Sequence, residues 1–270
     1  MKALRLFSVF VCASLVAAAV HAQPAKEFIP EVGQHGKDVV WVPTSRALVN
    51  KMPDMAKATT SDYVIDLGSG DGRTVITAAK RGIKALGIEY NPEMVTLSQR
   101  AAAKEGVTER ATFMKADLFE TDFSQATVIT MFLLPDINLK LRPKILGLKP
   151  GTRIVSNTFT MGEWEADETG TAGSDEDSSY YRTALLWIVP AKVEGAWKMV
   201  NGAAQGDITF KQEFQKFAGS INTGGASTLV TSGKLSGDQI RFSAGGAQYV
   251  GVVDSNAISG TVSKDGASRA

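Results

Sequence analysis

The chain has 270 residues, of which 44% are hydrophobic and 21% charged, and its basic and acidic side chains nearly balance at 29 and 28. These proportions are typical of a soluble globular protein and leave room for one large domain and a smaller one. The near-neutral charge argues against a broad nucleic-acid-binding surface.

The N-terminal residues predict export. Lys2 and Arg5 precede an apolar run from Leu6 to Val20, and Val20-His21-Ala22 offers a small–x–small cleavage site. The run is about 15 residues long, short of the roughly 20 that a helix needs to cross a bilayer. We expect residues 1–22 to be a signal peptide whose removal leaves no stable membrane span; the alternative is an uncleaved anchor.

Cleavage would change the chemistry available to the protein. It lowers Lys plus Arg from 29 to 27 against 28 Asp plus Glu, a formal charge of −1, and it removes Cys12, the only cysteine. The mature chain then has no disulfide and no cysteine metal site, which fits an oxidising periplasm. His35 is left as the only histidine, in a predicted solvated loop. We expect a periplasmic or secreted protein without a metal site.

The next residues lead into an α/β pattern. Residues 23–40 are polar with two prolines and predict a linker or an arm lying on the domain. From Thr44 onward helix and strand signals alternate, which predicts parallel strands joined by crossover helices. Asn91-Pro92 marks one helix start, because Asn caps a helix and Pro suits its first turn.

The most informative run is YVIDLGSGDGR, from Tyr63 to Arg73. An apolar strand ends in Asp66, and three alternating glycines, Gly68, Gly70 and Gly72, lead into a helix-like stretch. Glycines take positive φ and bring backbone N–H groups close to a ligand. A strand, glycine loop and helix in this order indicate a nucleotide or nucleoside site.

The spacing of the glycines narrows the class of ligand. The dinucleotide fingerprint G-x-G-x-x-G needs a third glycine where Arg73 stands, which argues against an oxidoreductase. The strand at residues 85–88 ends in Glu89, which can accept hydrogen bonds from both ribose hydroxyls. A third strand leads to Asp117, which can accept a bond from an adenine amino group.

The three acids at successive strand ends resemble the class I S-adenosylmethionine (SAM)-dependent methyltransferases. Three flanking motifs look like the family 173 type, related to the Dot1-like lysine methyltransferases: Val42-Pro43-Thr44-Ser45, Phe132-Leu133-Leu134-Pro135 and Met161-Gly162-Glu163-Trp164. The first departs from the usual V-P-T-P at its last position. The resemblance, from Trp41 to Pro190, implies a Rossmann-like sheet with helices on both faces, SAM as methyl donor and, in characterised relatives, a protein lysine as acceptor.

The predicted site follows from the motifs and the resemblance. The residues expected to bind the cofactor are Thr44, Asp66, Gly68, Ser69, Gly70, Gly72, Glu89 and Asp117. The acceptor is expected near residues 133–135 and 157–164, because ligands of open α/β sheets lie at the carboxyl ends of the strands. Trp164 and Glu165 are either acceptor contacts or packing and surface residues. No residue is identified as a catalytic base.

The pattern changes after Pro190. Short runs with period-two alternation are separated by turn residues, which predicts six antiparallel strands: 196–200, 207–214, 227–232, 239–243, 248–253 and 257–262. We therefore expect a methyltransferase domain at 41–191 and a small all-β domain at 192–270. The second domain would dock a partner or cover the acceptor side of the first.

Two functions remain open at this point. The first is an exported SAM-dependent methyltransferase with an unidentified acceptor, for which the resemblance suggests a protein lysine; neither a nucleic acid nor a membrane is expected as partner. The second is a non-catalytic SAM- or nucleoside-binding protein of the same fold, because SAM is made in the cytoplasm.

Overall fold

The computed structural model describes residues 28–173, 180–201, 204–265 and 267–269. The predicted signal peptide at 1–22 and most of the loop predicted at 170–179 lie outside the described residues. Within the described ranges, no helix is both long and apolar enough to cross a membrane.

The first part of the chain alternates helices and strands as predicted. The elements are α1 (Arg46–Met55), β1 (Tyr63–Leu67), α2 (Arg73–Lys80), β2 (Lys84–Glu89), α3 (Pro92–Lys104), β3 (Ala111–Lys115), β4 (Val128–Met131), α4 (Pro135–Ile145), β5 (Arg153–Asn157), β6 (Glu168–Thr171) and β7 (Thr183–Ile188). Asn91 caps α3 by accepting a 2.8 Å bond from the Glu93 N–H, which confirms that helix start.

These strands form one seven-stranded sheet in the order β3-β2-β1-β4-β5-β7-β6. Strands β1 to β5 are parallel, and β7 and β6 follow as antiparallel edge strands. The buried Val, Ile and Leu side chains of the central strands suit a sheet covered by helices on both faces. The strand order reverses between β1 and β4, which opens a crevice at their carboxyl ends. The predicted Rossmann-like fold class is thereby confirmed.

The last part of the chain forms a separate antiparallel sheet. Its strands are β8 (Gly195–Asn201), β9 (Ala204–Glu213), β10 (Lys216–Thr223), β11 (Ala226–Ser236), β12 (Gln239–Ala244), β13 (Ala247–Asp254), β14 (Ala257–Lys264) and β15 (Ala267–Arg269). They pair in sequence order as a meander, β8 to β15. The predicted small C-terminal antiparallel β-domain is confirmed as part of the fold class.

Three strands were not predicted, β6, β10 and the three-residue β15, and the first two have identifiable reasons. Strand β10 was not predicted because Phe217 and Ile221 are its only large apolar residues, and Gly219 and Ser220 between them have low strand propensity or read as turn residues. Strand β6 was not predicted because it is an exposed edge strand whose Gly170 and Thr171 read as part of a loop.

The two sheets contact each other through the segment after β5. The Trp164 ring is fully buried and stacks on Phe214, which precedes β10, with centroids 6.0 Å apart. The Gln215 side chain donates a 2.8 Å bond to the Glu165 carbonyl, and Lys216 pairs with the Glu165 carboxylate at 2.6 Å. Trp164 is therefore a packing residue and Glu165 an exposed ion-pair residue, which resolves the alternative left open for both.

Candidate active site

A cavity lies at the carboxyl ends of β1, β2 and β4. Seven of the eight residues predicted to bind a cofactor line it: Thr44, Asp66, Gly68, Ser69, Gly70, Glu89 and Asp117. Gly72 does not line it, since a Cβ added there would lie 2.7 Å from the Phe113 ring and 2.8 Å from the Ser98 side chain. Gly72 instead allows the loop to pack closely against α3 and β3, where its φ of 79° also starts α2.

The glycine loop turns its backbone toward the cavity. Gly68 and Gly70 have φ angles of 75° and 54°, a region that favours glycine. The N–H groups of Gly68 and Ser69 donate to the Ile88 carbonyl at 2.9 and 3.0 Å, which fixes the loop to the end of β2. A Cβ added at Gly70 would lie 2.7 Å from the indole nitrogen of Trp41. The loop can therefore make this approach only with glycine.

Glu89 joins the end of β2 to the glycine loop. One carboxylate oxygen accepts a 2.9 Å bond from the Gly70 N–H, and the other accepts a 2.9 Å bond from the Asn91 N–H. Each carboxylate oxygen has a second lone pair, so Glu89 can still accept from a pair of ligand hydroxyls.

Asp66 is buried at the floor of the cavity, 6% exposed. Burial raises the pKa of its carboxyl to about 7, and the nearby Asp71 and Glu89 charges add to the rise, while the 2.6 Å bond from the Thr130 hydroxyl opposes it. A carboxyl in this state favours a cationic ligand group, because a positive charge beside it would stabilise the ionised form.

Thr44 connects the start of α1 to two other elements. Its hydroxyl accepts a 3.3 Å bond from the Asn157 amide at the end of β5, and its carbonyl accepts a 2.8 Å bond from Arg73 at the start of α2. The threonine of the flanking motif thus holds the first helix against the glycine loop.

The arm before α1 covers part of the cavity, whereas the sequence analysis predicted only a linker or an arm lying on the domain. Residues 33–41 form a hairpin in which the Gly33 N–H donates to the Trp41 carbonyl at 2.8 Å and the Trp41 N–H donates to the Gln34 carbonyl at 2.9 Å. Gln34 and Trp41, together with His35 between them, line the cavity. The described part of the predicted arm therefore lies on the domain.

Lys37 at the tip of this hairpin reaches Asp117. Its ammonium donates to one Asp117 carboxylate oxygen, while the other oxygen accepts a 2.9 Å bond from the Phe119 N–H. The same ammonium lies 4.9 Å from the centroid of the Tyr90 ring. The Lys37 bond holds the pKa of Asp117 below its usual value. Asp117, which was expected to accept a hydrogen bond from an adenine amino group, is thus ion-paired with Lys37.

Three aromatic rings gather beside the cavity, at the ends of β4 and β5 and the start of β7. Phe132 and Tyr181 have centroids 5.2 Å apart, Phe132 and Phe159 are 5.8 Å apart, and Phe159 and Tyr181 are 6.1 Å apart. Phe132 also lines the cavity itself. This aromatic cluster therefore adjoins the cofactor cavity on the side where the acceptor was predicted.

Comparisons with known proteins agree with this geometry. The ANTKMT methyltransferase domain matches residues 66–168. A protein-lysine N-methyltransferase of Saccharolobus islandicus is 43% identical over 154 residues, which cover 56% of this chain and 94% of that protein. An adenine nucleotide translocase lysine N-methyltransferase of Mus musculus is 31% identical over 119 residues, 43% of this chain and 52% of the mouse protein.

A solved structure extends the comparison to the fold. An RNA methyltransferase from Salinibacter ruber, in complex with S-adenosyl-L-homocysteine, is 40% identical with a TM-score of 0.52. The match covers 56% of this chain and 96% of that one. This chain thus spans nearly the whole of the archaeal relative and of the Salinibacter structure, and about half the length of the mouse relative.

Fold, cavity and comparisons define a class I SAM-dependent methyltransferase. Within this class, the chain belongs to the family that includes the S. islandicus protein-lysine N-methyltransferase and the proteins with the ANTKMT methyltransferase domain. The resemblance stated from the motifs and the prediction of SAM as cofactor are both confirmed.

The residues of the cavity fit SAM. At Gly68 and Gly70 the glycine loop leaves no room for a side chain, so at these two positions only the backbone can meet a ligand. Glu89 offers acceptors for hydroxyl groups, and a positive charge beside the buried Asp66 carboxyl would favour its ionised form. Together these groups match a nucleoside that carries a cationic amino-acid tail.

Proposed function

We propose that this protein transfers a methyl group from SAM to a lysine side chain of a protein outside the cytoplasm. The observation that carries the proposal is the aromatic cluster of Phe132, Phe159 and Tyr181 beside the cofactor cavity. The names of the lysine methyltransferase relatives support the choice of acceptor.

We assign the cofactor contacts from the cavity residues. The Gly68 and Gly70 backbone would approach the nucleoside, Glu89 would accept from the ribose hydroxyls and Asp117 from the adenine amino group. Asp66 would balance the ammonium of the amino-acid part. When bound, SAM supplies a methyl group on a sulfonium, which an in-line nucleophile can take.

The aromatic cluster would prepare the lysine for this reaction. Aromatic faces attract an ammonium and pack along its apolar stem, which positions the nitrogen. The same rings exclude water, and desolvation lowers the pKa of an amine, so more of it is present as the neutral nucleophile. Alignment of donor and nucleophile alone can contribute several kcal/mol to such a transfer.

RNA is the competing acceptor, because aromatic rings also stack on bases and the Salinibacter relative is named an RNA methyltransferase. The formal charge of this chain, +1 as a whole, supplies no general attraction to phosphates. A protein acceptor is therefore favoured.

The exported location rests on the sequence of residues 1–22 alone. N-terminal sequencing of protein from its native host should begin near Gln23. An intact Met1 on protein from the cytosol would contradict export and leave the methyl transfer unaffected.

The acceptor can be tested with purified enzyme, isotope-labelled SAM and two substrate pools, an envelope protein extract and total RNA. Label on lysine in tryptic peptides is the expected result, and a Phe159→Ala variant should lower kcat/KM for the protein pool while it keeps its SAM affinity. Label in RNA alone would overturn the proposed acceptor. SAM binding without label in either pool would support the non-catalytic alternative.

A further inference from the structure

The second sheet has two open edges. Strand β8 is the first strand of the meander and, among the described residues, pairs with β9 only. At the other end, the described residues of β15 pair with β14 through Val262, Ser263 and Lys264 alone. The stretch Ala257–Thr261 of β14 therefore has no partner on that side among the strands that the structure describes.

Both open edges line the same cavity. Residues 196–200 of β8 and most of residues 257–262 of β14 border a space of about 520 Å³. The meander therefore curls so that both of its ends border one cavity, and no pairing between β8 and β14 closes it into a barrel among the described residues. The cavity between these two stretches is called the slot.

The floor of the slot is aromatic. The Phe242 ring stacks on Tyr249 at 4.6 Å and contacts Phe210 edge-on at 5.5 Å, and all three residues line the slot. Lys198 is the one charged residue among the described residues that line it. An occupant must therefore be largely apolar on its inner side.

The open edges indicate what kind of molecule fits. Each edge presents a row of backbone N–H and C=O groups at strand spacing, and an extended polypeptide carries the matching row on both of its sides. Neighbouring strands of the meander alternate in direction, so β8 and β14 run the same way. One inserted strand can therefore lie antiparallel to both at once, which is the pairing that antiparallel ladders need.

We propose that the slot binds an extended segment of a partner protein by strand addition, antiparallel to β8 and β14. The unpaired stretch Ala257–Thr261 sets the paired length at about five residues. Alternate side chains of the segment would point toward Phe210, Phe242 and Tyr249, so the segment is apolar at every second position. This binding activity is separate from methyl transfer and uses none of the cofactor residues.

The probe is a synthetic peptide of alternating valine and threonine with a lysine at each end, titrated calorimetrically into the full-length protein. Its control is the same sequence with alternate backbone amides N-methylated, which removes strand hydrogen bonds and keeps the side chains. We expect the first peptide to bind and the methylated one to bind at least tenfold more weakly. Equal binding of the two, or no binding of either at millimolar concentration, would overturn the proposal.

A matched pair of variants locates the binding. Val200 lines the slot and is 72% exposed, whereas Leu229 on β11 is 73% exposed and lies outside the slot. Val200→Lys should weaken peptide binding at least tenfold, because it places a charge on the strand edge with which the peptide would pair. Leu229→Lys should leave the peptide affinity unchanged.

Both variants should bind SAM like the wild type, so a failed peptide experiment would leave the methyltransferase assignment intact. Equal peptide affinity in the two variants would show that the peptide binds elsewhere and would refute the slot.

Discussion

The two sheets of this protein carry their chemistry in different places. In the parallel sheet the cavity is lined by residues at the strand ends, where Gly68, Gly70 and Glu89 converge. In the antiparallel sheet the distinctive feature is the outer edge of β8 and of residues 257–261 of β14, which has no strand partner among the described residues and no side-chain signature. The site of the parallel sheet can therefore be recognised from a residue motif in the sequence. The open edges of the meander can be recognised only from the order of its strands.

The largest effect on SAM binding is expected from a substitution at Gly70, in the glycine loop of the parallel sheet. Gly70→Val should abolish measurable SAM binding, because the residue has a φ of 54° and its Cβ would lie 2.7 Å from Trp41. Gly106→Val is the control, since Gly106 also has a positive φ, 67°, but has nothing within 4 Å of an added Cβ. Calorimetry with SAM measures both, after circular dichroism has shown that they are folded. Equal loss in both variants would assign the effect to backbone strain alone.

Glu89→Ala should weaken SAM binding by roughly 1.5–3 kcal/mol, the usual contribution of a hydrogen bond to a charged group. The variant also loses the bonds from the Gly70 and Asn91 N–H groups, so part of the effect is a looser loop. Glu89→Gln keeps the side-chain length and one acceptor, and it should fall between the wild type and the alanine variant. SAM affinity in Glu89→Ala equal to that of the wild type would remove Glu89 from the site.

Asp66 makes the stability of the free enzyme depend on pH. Its folded pKa of about 7 lies above the ordinary 3.8, so the folded state holds a proton that the unfolded chain has already lost. The contribution of Asp66 to the free energy of unfolding should therefore be largest at low pH, fall as the pH rises from about 4 to about 7, and then level off. The fall between pH 5 and pH 7 is about 2 kcal/mol.

Urea unfolding from pH 5 to pH 8 measures this effect as the difference between the wild type and Asp66→Asn. The asparagine can still accept from the Thr130 hydroxyl but does not titrate. A difference that stays constant over this range would show that Asp66 does not hold its proton near neutral pH.

The smallest effect on cofactor binding is expected from removal of the antiparallel sheet. A chain truncated after Ala191 keeps every residue of the cofactor cavity, so its SAM affinity should stay within about twofold of the wild type. Its stability should drop, because the truncation removes Phe214 from the buried Trp164 ring. A folded truncated protein without SAM affinity would mean that the second sheet shapes the cavity.

The sequence predicted the parts of the site that lie at strand ends. Asp66, Glu89 and Asp117 each stand within two residues of the end of an apolar strand, and parallel strands bring their carboxyl ends to one edge. The aromatic cluster was not predicted as a unit, because Phe132, Phe159 and Tyr181 meet only through the order β4-β5-β7. Nothing in the alternation of apolar residues reveals that β7 inserts antiparallel beside β5.

Lys37 was missed for a different reason, since a lysine in a polar arm has no local signal and its partner Asp117 lies 80 positions away. The same ion pair has a consequence for how the enzyme responds to its surroundings. Salt screens exposed charge pairs, so added salt should weaken the contact between Lys37 and Asp117. The hairpin that covers part of the cavity should then loosen, and SAM should bind and dissociate faster as the ionic strength rises.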